Sequence, residues 1–199
     1  MDYYKIIADN FKRTIETIAL SVDDLAGKIE RGSQLMSEAL LADRKIIACG
    51  NGVDAALAQL FVCNLLNRFE DDRPALPALT LGGDFASITG IAQDASHNEI
   101  FSRQLRALGH AGDVLFCINS SAGANNLARV VRTGQERNMG IIVLSNSLDD
   151  ELGLLMRPED VELRIHASRR ARIVELHTMV IHSFCELIEH SLFGTYSPE

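Results

Sequence analysis

The stretch that decides the fold runs from Ile47 to Pro74, "IACGNGVDAALAQLFVCNLLNRFEDDRP". A short apolar run ends in Gly50-Asn51-Gly52, and a helical pattern begins at Val53 and lasts to Phe69. A strand that turns through glycines straight into a helix opens a βα unit, and ligands gather at such turns. Yet the helix carries Ala, Leu, Phe, Val and Cys where an enzyme would show His and Glu. The turn reads as a site and the helix as its apolar shell.

The same alternation continues on both sides. Residues 1–42 place Ile7, Phe11, Ile15, Ile18, Leu25, Ile29, Met36 and Leu40 at three- and four-residue steps. That spacing predicts one or two helices with a long apolar face to bury. Downstream, "KIIAC" (45–49), "PALTL" (77–81), "DVLFCIN" (113–119), "GIIVLSN" (140–146) and "VELRI" (161–165) read as strands. Helices are expected at 53–69, 84–93, 123–138, 149–156 and 170–191. Unalternated apolar strands are covered on both faces. The expected fold is therefore α/β: a doubly wound, five-stranded parallel sheet flanked by helices, with an N-terminal helical arm. Residues 1–42 form the arm, 43–194 the domain, and 195–199 a polar, mobile tail.

In such a sheet ligands bind beyond the carboxyl ends of the strands. Three loops qualify: Gly50-Asn51-Gly52, Asn119 to Gly123, and Ser145 to Ser147. Ser120 and Ser121 precede a helix, where free N–H groups and the dipole favour an anion. Simple N-capping accounts for the same residues, and both can hold together.

Composition narrows the classes. The chain has 199 residues, 47% hydrophobic, with a formal charge of −8. An acidic surface repels phosphate backbones, so direct nucleic-acid binding is not expected. Arg169, Arg170 and Arg172 read as a solvated face or an oligomer contact. No apolar run reaches the length of a membrane span, and the first twenty residues are charged without a cleavage pattern. A cytoplasmic protein is expected. Cys49, Cys63, Cys117 and Cys185 all sit in apolar runs without a CxxC pair, and they read as buried free thiols.

"CGNG", "NRFEDDRP" (67–74), "RALGHAGDVL" (106–115) and "INSSAGANN" (118–126) together resemble the sugar isomerase (SIS) domain family. Within it they are similar to the phosphoheptose isomerases and to the DnaA initiator-associating (DiaA) branch. The resemblance implies a homotetramer with sites between subunits. For the isomerases it implies interconversion of sedoheptulose 7-phosphate and a heptose 7-phosphate, with a Glu, a His and a zinc ion. Carried over position by position, the metal-binding His falls on Leu60, the catalytic Glu on Asn64, and the Gln on Val174. A sugar-holding Asp falls on Ala171, and the second His on His182. Leu and Val cannot ligate zinc, Asn is no general base, and one imidazole does not make a zinc site. Glu175 and His177 lie about 100° and about 300° round the helix from Val174. His182 and Glu186 form an i, i+4 pair that reads first as a surface or interface pair.

The family's phosphate loop is altered too. Ser120 and Ser121 remain, the last serine becomes Ala124, and "GNGGS" becomes "GNGVD". The resulting carboxylate, Asp54, repels a phosphate by about 1–4 kcal/mol at 4 Å. It turns away, weakens binding, or is offset by an arginine such as Arg68. Gly50, Asn51, Gly52, Asp54, Arg68, Asp94, Asn119, Ser120 and Ser121 are the ligand-binding candidates, for a weakly held sugar phosphate. "LLNRFE" (65–70), "ARIVELH" (171–177) and the C-terminal Leu192-Phe193 lean toward the initiator-associating branch. On that basis the main expectation is a non-catalytic, zinc-free tetrameric adaptor that gathers DnaA through Leu192 and Phe193. Those two residues equally suit packing on the N-terminal helices. Phosphoheptose isomerase activity, or sugar-phosphate sensing, is the alternative.

Overall fold

The computed structural model describes residues 2–148 and 151–194. One helix, α1 (Tyr3–Leu41), occupies the whole arm. Asp2 starts it, its side chain accepting a hydrogen bond from the Lys5 N–H at 3.2 Å. Its C-terminal half buries Leu25, Met36 and Ala39 on the sheet, while Tyr3, Tyr4, Ile7, Phe11, Ile15 and Leu20 stay exposed. Asp43, at φ 57°, ends the helix and turns the chain into the first strand.

The sheet contains β1 (Ile46–Gly50), β2 (Ala78–Thr80), β3 (Val114–Ile118), β4 (Gly140–Asn146) and β5 (Val161–Ile165), all parallel, in the order β2-β1-β3-β4-β5. Alternate residues of each central strand feed opposite faces. Ile46, Ala48, Val114, Phe116 and Ile142 pack under α1, α2 (Val53–Leu66) and α6 (Arg170–Phe193). Ile47, Cys49, Leu115, Cys117 and Ile141 pack under α4 (Ser102–Leu108) and α5 (Asn125–Glu136). The first layer is anchored by Phe61, Phe116 and Phe184, whose rings meet edge-on at 4.9 and 5.7 Å. The expected α/β sheet with helices on both faces is what the chain forms.

Below the sheet, Asp113 ties the chain together. It accepts from the Lys45 and His110 N–H groups and pairs with the Lys45 ammonium at 2.6 Å. Burial would raise its pKa, but these donors hold the carboxyl below its ordinary value.

Several elements differ from the sequence reading. The helix expected at 53–69 stops at Leu66, because Arg73 turns back to the Asn64 and Leu65 carbonyls at 2.6 and 2.8 Å. A short α3 (Phe85–Asp94) matches expectation, but α4 was not foreseen. The helix expected at 149–156 is a single 3-10 turn, Gly153–Leu155, with 149 and 150 outside the described residues. β5 alternates in burial, as an edge strand does. Cys63 is exposed, unlike the other three free cysteines, because it lies on the outer side of α2. The tail at 195–199 lies outside the described residues.

Candidate active site

The strand order reverses between β1 and β3, and the crevice at that switch point is where an open α/β sheet binds ligands. The loops after β1 and β3 meet there. Gly50 is obligatory: a Cβ would stand 2.6 Å from the Asp54 carbonyl oxygen. Gly52 (φ 59°) turns the chain into α2 with a backbone that side chains disfavour.

Asn51 and Asn126 exchange two side-chain hydrogen bonds, at 2.9 and 2.8 Å, across the crevice. The Asn126 side-chain Oδ1 also accepts from the Leu127 N–H in the first turn of α5. This amide pair locks the β1 loop to the α5 N-terminus. Asn146, at the end of β4, donates to the Asn119 and Ser121 carbonyls at 2.9 and 3.3 Å. The Asn119 side chain accepts from the Ser121 N–H. The serine loop is therefore held from both neighbouring strands.

Asp54 is buried and accepts from the Ser120 N–H at 3.0 Å. Arg170, at the start of α6, donates to the Ser120 hydroxyl at 3.0 Å and lies 3.9 Å from the Asp54 carboxylate. Burial raises the Asp54 pKa, opposed by the Ser120 hydrogen bonds and by Arg170. The arginine offsetting Asp54 is thus Arg170, not Arg68. Arg68 is exposed and donates to the Glu70 carbonyl, and Asp94 is exposed at the end of α3. Of the ligand-binding candidates, the structure brings Gly50, Asn51, Gly52, Asp54, Asn119, Ser120 and Ser121 together at the crevice and leaves Arg68 and Asp94 outside it. The sequence reading missed Asn126, although the motif containing it was in view, and it assigned Arg170 to a surface cluster.

The other candidate positions line the seam between α2 and α6. Leu60 and Val174 pack against the apolar core. The Asn64 amide lies 3.8 Å from the Cys185 sulfur, and burial pushes that thiol up to about 12. His182 is exposed and rests on the Phe69 ring, with centroids 5.5 Å apart. Nearby, a buried Arg73–Glu189 pair at 2.5 Å fixes the turn after α2. His177 is fully buried and bonds the Ser145 carbonyl at 3.2 Å. Glu175 pairs with Arg172 and accepts from Thr14 of α1.

The resemblance to isomerases implies a zinc ion in this seam. The side chains there do not fit one: Leu60 and Val174 offer no lone pair, and Asn64 offers only a neutral amide. Among the described residues no group of three His, Cys, Asp or Glu could hold a metal.

The SIS domain model matches residues 8–146. The phosphoheptose isomerase of Halorhodospira halophila is 42% identical over 98% of both chains. That of Chromohalobacter salexigens is 40% identical over 98% of this chain and 99% of its own. The solved phosphoheptose isomerase of Francisella tularensis superposes with a TM-score of 0.91 at 31% identity, covering 96% of this chain and 100% of that one. GmhA, the phosphoheptose isomerase of Neisseria gonorrhoeae, gives 0.88 at 33%, over 94% and 98%.

These similarities correct the main expectation from sequence. The non-catalytic DnaA adaptor is overturned, because relatives that align over nearly the whole chain at 40–42% identity are named as an enzyme. The expectation weighed a handful of substituted side chains and a two-residue ending above the whole chain. Leu192, half of that ending, is partly buried against the core, while Phe193 is exposed. Matched over nearly its whole length in sequence and fold, the chain belongs to the SIS domain family and, within it, to the phosphoheptose isomerases.

Proposed function

We propose that this chain interconverts the ketose and aldose forms of a phosphorylated heptose, as the name of its relatives indicates for them. The observation that carries this reading is the coincidence of a full-length match to phosphoheptose isomerases with a loop cluster suited to a phosphate. Ser120, Ser121 and Arg170 converge at the switch point, next to the first turn of α5. Backbone N–H groups, hydroxyls and a guanidinium are the donors a phosphate monoester requires.

The reaction moves a proton between adjacent carbons and so needs a group that accepts and returns it. His182 is the candidate we assign. It is exposed, it rests on the Phe69 ring, and imidazole is the side chain most often used as a general acid or base. No step is routed through zinc, and we propose catalysis without a resident metal.

We further propose that the working form is a homotetramer in the cytoplasm. The exposed Tyr3, Tyr4, Phe11 and Ile15 on α1 support burial against other copies. A groove of about 550 Å³ between α1 and α6, lined by Ile18, Leu25, Met179 and Leu187, does so too. Among the described residues no helix is long and apolar enough to cross a membrane.

The test is incubation of the purified protein with sedoheptulose 7-phosphate, with and without zinc, reading the aldose phosphate formed. Turnover abolished by His182→Ala supports the assignment. Binding of the sugar phosphate without turnover would replace it with a sugar-phosphate-binding role.

A further inference from the structure

Asp54 occupies an unusual position. It stands in the first turn of α2, is 1% exposed, and one of its oxygens bonds the Ser120 N–H. Its other oxygen, Oδ1, is buried without a hydrogen-bond partner. The Arg170 guanidinium approaches the bonded oxygen at 3.9 Å and also holds the Ser120 hydroxyl. Two of the groups that would greet an anion, the Ser120 N–H and Arg170, already face a carboxylate.

A buried, half-satisfied carboxylate is costly. The Asp54 backbone is fixed at that spot: the Gly50 turn packs directly on it, leaving no room for a Cβ. The side chain therefore points into the crevice between the β1 and β3 loops. An incoming dianion meets a like charge and finds the Ser120 N–H and Arg170 engaged.

We propose that Asp54 is a built-in occupant of the phosphate seat, competing with the phosphate of the substrate for Ser120 and Arg170 and so setting the affinity of the site. This deepens the reading of that loop as the phosphate seat and rests on it, but it does not require turnover. Displacement of the carboxylate from the Ser120 N–H accompanies ligand entry. A neutral residue of similar size leaves the donors free.

Sulfate is the suitable probe, because it stays a dianion across the working pH range. Calorimetric titration of the full chain with sodium sulfate at fixed ionic strength is compared for wild type, Asp54→Asn, Asp54→Ser and Asp54→Ser/Arg170→Gln. The Asn variant is nearly isosteric, so it serves if the Ser variant fails to fold. Both single variants are expected to bind sulfate about tenfold more tightly or better, the scale of removing one like charge at contact distance. Adding Arg170→Gln is expected to return affinity toward the wild-type value. Unchanged sulfate affinity in a folded Asp54→Asn protein would overturn the proposal. So would a gain that survives loss of Arg170, because the anion would then sit elsewhere. A gain in sulfate binding without isomerase activity in wild type would sink the isomerase reading alone. Turnover with no gain would sink this inference alone.

Discussion

His177 makes the stability of this protein depend on pH in a predictable window. Its imidazole is fully buried on the inner face of α6, with Nε2–H donating to the Ser145 carbonyl at 3.2 Å and Nδ1 without a partner. Burial lowers its pKa from 6.5 to about 4, against a smaller opposing effect of the Ser145 bond. The folded chain therefore keeps His177 neutral where the unfolded chain protonates it. Proton linkage then removes stability as pH falls from about 6.5 toward about 4. With those two pKa values the loss is about 1.4 kcal/mol at pH 5.5 and about 2.5 kcal/mol at pH 4.5. His177→Gln retains an amide donor and removes the titration. Urea unfolding at matched protein concentration, from pH 7.5 to 4.5, should show the wild-type curve falling by that extra amount relative to the variant. Parallel curves, within about 0.5 kcal/mol, would refute the reasoning.

The remaining predictions concern packing and the site. Arg73→Met strands the buried Glu189 carboxylate and frees the Asn64 and Leu65 carbonyls, costing about 3–5 kcal/mol in urea unfolding; less than about 1 kcal/mol would contradict the pair's burial. Phe116→Ala empties the centre of the aromatic cluster and should cost about 3–5 kcal/mol by the same assay. Gly50→Ala drives a methyl into the Asp54 carbonyl, shifting Asn51 and Asp54, and should change sugar-phosphate affinity by about tenfold or more; unchanged affinity in a folded variant would show the crevice to be elsewhere.

Much of the architecture was legible from local pattern. β4 and β5 begin and end where their apolar runs do, and Gly50-Asn51-Gly52 marked the first crevice loop. α4 escaped because "SRQLRAL" is a seven-residue helix, too short for a period to emerge. The end of α2 depended on Arg73 reaching back eight and nine residues, a contact no propensity encodes. The Asn51–Asn126 pair and the Asp54–Arg170 approach join segments 75 and 116 positions apart, so only the folded chain reveals them. Arg170 looked like one cation of a surface cluster until α6 placed it over Ser120. The function was misjudged for a related reason. Substitutions at Leu60, Asn64 and Val174 describe one helix seam, whereas the match to phosphoheptose isomerases extends through almost the entire chain.

The central claim is that this chain turns over a phosphorylated heptose. The most direct measurement follows sedoheptulose 7-phosphate and the purified protein by proton NMR in deuterium oxide, alongside His182→Ala. The account predicts formation of the aldose phosphate with solvent deuterium entering the carbon next to the carbonyl, and loss of both signals in the variant. Neither aldose nor deuterium incorporation from well-folded wild-type protein, with or without zinc, would contradict it.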